Sequence, residues 1–241
     1  MRSISIIFRR ELAAYLTSPL GTVIVAAALL TTGVLFQWQG LGSGPQLSAD
    51  VLSQFFYVAS GVTMCAAVLL AMRLFAEERQ EGTLVLLSTS PARDHEIVLG
   101  KFLSAFVFLA GMLALTIYMP LLILVNGKVS LAQIAAGYLG LFLLGGAVLS
   151  IGLFASALAR MQIVALLVGA LVTALMVLIY HLAGVVDAPL DSIFEQLALY
   201  HLHFRGFMTG VIELKDVVYY LAVTYLFLLL ATKTLEAKRW Q

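Results

Sequence analysis

The chain has 241 residues, of which 62% are hydrophobic and only 11% are charged, and its formal net charge is +1. Its mean hydropathy of +1.03 is far above that of soluble domains of this size, so the composition excludes a water-soluble protein and indicates an integral membrane protein. The single cysteine, Cys65, excludes an intramolecular disulfide and a cysteine metal cluster.

The first 16 residues predict an amphipathic helix that lies flat on the inner membrane surface among anionic lipid headgroups. Arg2 and Arg9 fall opposite an apolar arc that consists of Ile4, Ile7, Phe8, Leu12 and Tyr15. Glu11 projects into this arc, so it either meets a cationic or protein partner or reaches back to water. Ser18 and Pro19 predict the bend into the first span. A cleavable signal peptide is not expected, because the apolar run is too long and further spans follow.

Uncharged stretches predict six membrane-spanning helices, since about 20 apolar residues cross a bilayer. The stretches are 12–49, 51–72, 102–127, 129–159, 161–186 and 217–232. The last one is short and spans only if its charged neighbours lie near the headgroups. If the spans alternate, one side holds eleven of the 14 Lys and Arg residues, which predicts that both termini are cytoplasmic. The whole chain, 1–241, is then one multi-pass domain.

A dense charged segment separates the second and third spans, because residues 73–100 contain eight of the 27 charged residues. The pattern predicts a helix that ends at Gly82, an apolar stretch at 84–87, and a new helix that starts at Ser90 and Pro91 and runs into the third span. A charge run is usually only a solvated loop. Here, however, an apolar centre lies between charged flanks, which favours insertion into a cleft on a cytosolic protein.

The segment 184–216 lies on the opposite side of the predicted membrane. It is too polar to span and too apolar for a free loop, which predicts short helices that form an outer lid, contact a partner, or rest passively at the interface. His201 and His203 would diverge on a helix, so a metal site is not expected. Small residues four apart in the fourth span, Gly146 with Ser150 and Gly152 with Ser156, favour close helix packing.

No charged residue lies deep in the long spans, which disfavours an ion-coupled carrier. Weakly polar residues in the spans favour a path for an amphipathic or lipid-like cargo, namely Tyr57, Ser60, Thr63, Thr116, Tyr118 and Asn126. The sequence lacks a G-x-x-x-x-G-K-[ST] phosphate-binding loop, so another polypeptide is expected to supply any ATP hydrolysis.

Residues 75–102 read FAEERQEGTLVLLSTSPARDHEIVLGKF, and this string resembles the cytoplasmic segment of type-2 ABC exporter permeases. RRELAAYLTSP at 9–19 resembles the elbow helix of that family. GVIELKDVVYYLAVTYLFLLLATKTLEAKRW at 210–240 resembles the last span and tail of its gliding-motility and copper-maturation branches. Val85 departs from the pattern, because many relatives have an acidic residue there.

The resemblance implies an all-α permease with six transmembrane helices, an elbow helix (1–18), a cytoplasmic coupling helix (73–101) and short external re-entrant helices (184–216). It implies that two such permeases, identical or related, pair in the inner (plasma) membrane. Separate ATP-binding subunits would hold ATP and Mg, and this chain would hold no cofactor and contact no nucleic acid. The implied function is ATP-driven export of an unidentified substrate. Two alternatives are a mechanotransmission subunit that acts on an external accessory protein, and a membrane anchor without ATP coupling.

The resemblance also implies three sets of site residues. Coupling to the ATPase would involve Glu77, Glu78, Arg79, Glu81, Gly82, Thr83, Leu84, Pro91, Arg93, Glu96 and Lys101. The elbow helix would contribute Arg9, Arg10 and Glu11. An external gate or partner contact would involve Phe194, His201, Phe204 and Phe207.

Overall fold

The computed structural model describes residues 2–40, 47–83, 93–127, 129–183 and 190–239. Within these ranges the regular secondary structure is α-helix throughout, as the composition predicts. The helices are α1 (Arg2–Thr17), α2 (Pro19–Gly40), α3 (Ser48–Ala71), α4 (Arg73–Gln80), α5 (Asp94–Leu115), α6 (Tyr118–Asn126), α7 (Leu131–Leu158), α8 (Gln162–Ala183), α9 (Leu190–Leu197), α10 (Arg205–Thr209) and α11 (Leu214–Arg239).

Six helical stretches in the described residues are long and apolar enough to cross a membrane, which confirms the predicted number. They are Pro19–Trp38, Ser48–Gln80, Asp94–Val125, Leu131–Leu158, Gln162–His181 and Leu214–Lys238. The last stretch, at 25 residues, is longer than the uncharged run 217–232. It includes Asp216 and Lys238, which both have hydrogen-bond partners inside the protein.

The helix α7 is the centre of the bundle, and it packs against α3, α5, α8 and α11. Small residues on α7 make this close approach possible. A Cβ atom at Gly152 would lie 2.5 Å from the Cβ of Ala71, and one at Gly145 would lie 2.7 Å from the Leu109 side chain. The predicted packing role is therefore confirmed at Gly152, and Gly145 adds a second close approach.

Short breaks separate three pairs of consecutive helices. Ser18 accepts a hydrogen bond from the Gly21 N–H at 3.1 Å, with Pro19 as the first residue of α2, so the predicted bend between α1 and α2 is confirmed. Met72 separates α3 from α4, and a turn after Leu115 separates α5 from α6. The predicted cap at Ser90 and Pro91 lies outside the described residues.

Candidate functional site

Four charged side chains meet where α1, α4 and α5 come together. Lys101 is only 1% exposed, and its Nζ lies 2.9 Å from Glu11 and 3.0 Å from Glu78. The guanidinium of Arg10 lies 2.7 Å from the same two carboxylates. Two anions and two cations thus balance each other in one cluster, here called the four-charge network, which connects residues up to 90 positions apart.

Most of the four-charge network is buried, so its charged groups need the opposite charges beside them. Lys101 also lies 5.3 Å from the centre of the Phe75 ring, and most of both carboxylates is buried. Burial alone would raise the pKa of Glu11, but Lys101 and Arg10 outweigh it and hold that pKa below its ordinary value. Of the alternatives left open for Glu11, the structure therefore selects the cationic partner.

A second cluster fastens the bend between α1 and α2 onto α4. Arg73 donates to Glu77 at 2.7 Å and to the Ser18 hydroxyl at 2.9 Å, and its guanidinium lies 5.2 Å above the Tyr15 ring. The buried Tyr15 hydroxyl donates to the Leu70 carbonyl at 2.9 Å. Because the two clusters act on the same pair of helices, α1 is attached to α4 at two points about two turns apart.

Ser156 on α7 supports the break between α3 and α4. Its hydroxyl accepts the N–H groups of Phe75 and Ala76, both at 3.0 Å, and donates to the Met72 carbonyl at 2.9 Å. A break in a helix frees backbone groups that would be costly to bury without partners. Ser156 therefore satisfies the break, a role that the small-residue spacing alone could not predict.

Glycine and threonine terminate α4 as the sequence predicts. Gly82 has a φ of +73°, its N–H donates to Arg79, and the Thr83 N–H donates to Glu78 at 2.9 Å. These two bonds form the Schellman motif, in which glycine is favoured because its φ is positive. Beyond this end the predicted residues Leu84 and Pro91 lie outside the described residues. The chain is described again from Arg93, whose N–H donates to Glu96 at the start of α5.

The coupling residues predicted from the resemblance therefore lie in three different surroundings. Glu77, Glu78 and Lys101 are held in clusters that attach α1 to α4 and α5. Glu81 and Arg93 are exposed, and they flank the stretch 84–92. Arg79 bonds to carbonyl groups at the end of α7. Sequence reasoning missed Arg73, Tyr15 and Ser156; the weak signals for them were a basic residue next to a span, an aromatic on the apolar arc, and small residues four apart.

Residues 190–213, here called the outer segment after its predicted position, are held by a buried histidine and carboxylate. His203 Nδ1 lies 2.7 Å from Asp216, and its Nε2 lies 3.2 Å from the Gln196 carbonyl. The His203 ring also stacks on Tyr219 with centroids 3.8 Å apart. These contacts connect the end of α9 with the start of α11, and no pattern in the sequence pairs His203 with Asp216.

The four predicted external residues have different surroundings. Phe204 and Phe207 are fully buried, so they hold the outer segment against the bundle. Phe194 is half-buried on α9. The His201 ring stacks on the Tyr180 ring and meets the Tyr200 ring edge-on. Burial, with a smaller effect of His181, lowers the pKa of His201 below its ordinary value, which disfavours the protonated ring.

An elongated cleft of about 800 Å³ lies between α2 and α8, with α3 as its floor. Tyr57 and Ser60 line it at the outer end, together with Tyr200 and His201, and its remaining lining is almost wholly apolar. The other predicted path residues lie elsewhere. Thr63 and Thr116 are buried with hydrogen bonds to their own helices, Tyr118 lines a different cavity, and the Asn126 side chain lies outside the described residues.

The sequence matches the model of one protein family, described as ABC-2 family transporter protein, over residues 18–184. The match covers well over half of the chain and includes α2 to α8, and with them Glu78 and Lys101 of the four-charge network and Arg73 and Glu77 of the second cluster. No curated protein matches the sequence.

Proposed function

This chain belongs to the ABC-2 family of transporter proteins, and from that membership we propose that it is the permease of an ATP-driven exporter. In this proposal two permeases pair, and a separate ATP-binding subunit supplies the energy of ATP hydrolysis. In this proposal the exposed ends of α4 and α5, at Glu81 and Arg93, contact the ATP-binding subunit.

The observation that best supports coupling is the four-charge network. A force applied between Gly82 and Arg93 acts on α4 and α5, and Lys101 and Glu78 are on those two helices. Glu11 and Arg10 pass the same displacement to α1. Because buried, paired charges resist separation, the three helices move together rather than individually. The elbow helix, the coupling segment and the second and third spans then respond as one unit.

Reversing two exposed charges tests the docking surface without disturbing the network. Glu81→Arg combined with Arg93→Glu leaves the net charge unchanged, and both positions are exposed. We expect at least a tenfold loss of the co-purified ATP-binding subunit, because unfavourable charge pairs at an interface strongly weaken association. The measurement is quantitative mass spectrometry of the subunits that co-purify with the tagged chain from native membranes.

A matched control uses the exposed pair at the cytoplasmic end of α11. Lys233 and Glu236 lie 2.7 Å apart, and Lys233→Glu with Glu236→Lys exchanges their charges. This variant should retain the ATP-binding subunit at the wild-type level. Equal recovery of that subunit with wild type and the Glu81→Arg, Arg93→Glu variant, both folded by circular dichroism, would contradict the proposed docking surface.

The cleft between α2 and α8 supports a cargo with an apolar body and an uncharged, hydrogen-bonding head. Its lining along α3 and the break after it runs from Tyr57 to Met72, a distance of about 22 Å at 1.5 Å per residue. Polar groups gather at one end, where the Ser60 and Tyr200 hydroxyls lie 3.0 Å apart. Ligand sites typically combine an apolar wall with a few convergent polar groups. No Asp, Glu, Lys or Arg is among the described residues that line this cleft, and burial disfavours protonation of His201, so the cleft suits an uncharged head.

Cys65 lines the cleft and is the single cysteine, so it reports occupancy directly. We expect monoolein, which has an uncharged glycerol head, to slow maleimide alkylation of Cys65 several-fold in nanodiscs. Oleate at the same concentration should have little effect, and Tyr200→Phe with His201→Phe should reduce the protection by monoolein. Equal protection by both lipids would refute selection for an uncharged head, and Cys65→Ser provides the unlabelled control.

A mechanotransmission role is the second candidate, and the fixed outer segment favours it. The Leu199 N–H donates to Met176 on α8, and the Tyr219 and Tyr220 hydroxyls on α11 donate to Leu197 and Leu199. Movement of either helix therefore reaches the outer segment, where half-buried Phe194 lies. This role needs no cargo in the cleft, so absence of Cys65 protection together with retained ATPase binding would favour it over export.

A further inference from the structure

Three basic side chains converge on the end of α7 that lies beside α4. Arg79 Nη1 donates to the carbonyls of Ala159 at 2.8 Å and Leu158 at 3.3 Å. Lys238 Nζ donates to the same Leu158 carbonyl and to Ala157, both at 3.0 Å. Arg160 follows this helix end directly and is exposed. Arg79, Arg160 and Lys238, here called the basic triad, thus combine residues from α4, the turn before α8, and α11.

The basic triad has more positive charge than its surroundings balance. A helix C-terminus supplies the equivalent of only about half a negative charge. In the ranges that the structure describes, no carboxylate lies within ion-pair distance of any of the three residues. In addition, the second guanidinium nitrogen of Arg79, Nη2, is buried and has no hydrogen-bond partner there. An anion bound at this point would balance the remaining positive charge of the basic triad.

An exposed apolar strip begins directly beside the basic triad. Leu158 ends α7, Met161 precedes α8, and Ile163 and Val164 lie in its first turn. All four have between 44% and 66% of their surface exposed. The triad also marks the membrane boundary of three candidate spans, which end or begin at Leu158, Gln162 and Lys238. A ligand that meets both features needs a negative head at the interface and an acyl chain along α8. Free phosphate would satisfy only the first.

We propose that the basic triad binds the phosphate headgroup of an anionic phospholipid, whose acyl chain lies along the exposed start of α8. The lipid bridges α4, the α7–α8 turn and α11, so it stabilises the end of the coupling segment where Arg79 lies. The site is independent of whether the chain exports a cargo, since it requires only the membrane boundary and the three cations. Basic residues next to a span are known to attract anionic lipids, and here they converge on one point.

Native mass spectrometry of the full chain in a neutral detergent tests this site. The purified protein is titrated with dioleoylphosphatidylglycerol or dioleoylphosphatidylcholine, and the dissociation constant of the first bound lipid is measured. We expect the wild type to prefer phosphatidylglycerol. Arg160→Gln with Lys238→Gln should weaken its binding about 25-fold, since each basic residue near an anionic headgroup contributes roughly a fivefold factor. Arg79 is left intact because it is partly buried.

The control variant removes two positive charges elsewhere. Lys215 and Lys233 are exposed and paired with Glu213 and Glu236, so Lys215→Gln with Lys233→Gln has the same net charge as the test variant. This control should keep the wild-type affinity for phosphatidylglycerol. Equal affinity of the test variant and wild type, or no preference over phosphatidylcholine, would overturn the proposal. Full displacement of the lipid by millimolar inorganic phosphate would instead identify a site for free phosphate and would refute the lipid assignment.

Discussion

Replacing Lys101 with methionine is expected to lower the melting temperature of the folded chain by on the order of 10 °C. Methionine has nearly the same length and is apolar, so the packing against Phe75 is kept and only the ammonium is lost. Glu11 and Glu78 would then share Arg10 as their remaining cation in the network. Removing one partner of a buried ion pair destabilises a protein by about 3–5 kcal/mol, because the other charge stays buried without compensation. The measurement is thermal unfolding followed by circular dichroism in detergent.

A compensating substitution separates the loss of charge balance from a loss of packing. Lys101→Met combined with Glu11→Met removes one charge of each sign, and Arg10 still pairs with Glu78. Complete removal of a buried pair is often nearly neutral, so this variant should recover most of the lost melting temperature. Lys233→Met makes the same substitution at an exposed pair and should change stability by less than about 1 kcal/mol. A double variant no more stable than Lys101→Met would contradict the network interpretation.

The helical periodicity of the first 16 residues was sufficient to identify Glu11 as a carboxylate in an apolar arc that needs an explanation. It could not identify Lys101 as the partner, because pairing across 90 positions depends on how α1 packs against α5. Lys101 looks in the sequence like one more charge of a cytoplasmic segment, whereas in the fold it is almost completely buried. The apolar stretches predicted the spans well, because a bilayer constrains length and composition directly.

The sixth span shows why charge is an unreliable marker of where a helix ends. The uncharged run in the sequence begins at Val217, and it spans a bilayer only if Asp216 lies near the headgroups. In the fold, His203 approaches Asp216 at 2.7 Å, and α11 begins at Leu214. A buried polar group is tolerated when it is hydrogen-bonded, and that partner comes from an irregular segment without periodicity. The burial of Phe204 and Phe207 has the same origin, since Phe204 lies in a turn and Phe207 in a five-residue helix that is too short for periodicity to indicate a buried face.

Replacing Asp216 with alanine is expected to destabilise the outer segment by about 3 kcal/mol and to expose it to exchange with solvent. Both side chains of the pair are more than nine-tenths buried, so the variant leaves His203 Nδ1 without its partner. The His203 ring also bonds to the Gln196 carbonyl and stacks on Tyr219, and these contacts depend on its orientation. Hydrogen exchange measured by mass spectrometry should therefore increase in peptides from 198–210, with little change at Lys101 on the opposite side.

The exposed ion pair at the start of α11 provides a matched control for that experiment. Glu213 and Lys215 form an exposed ion pair of 2.6 Å at the same helix start, so Glu213→Ala removes a similar contact in water. An exposed pair contributes roughly 0–1 kcal/mol, and exchange in 198–210 should stay at the wild-type level. Equal exchange in both variants would show that the His203 and Asp216 contact does not hold the outer segment. A selective increase in Asp216→Ala would show that α11 positions this segment through one buried pair, so that movement of the last span displaces the segment as well.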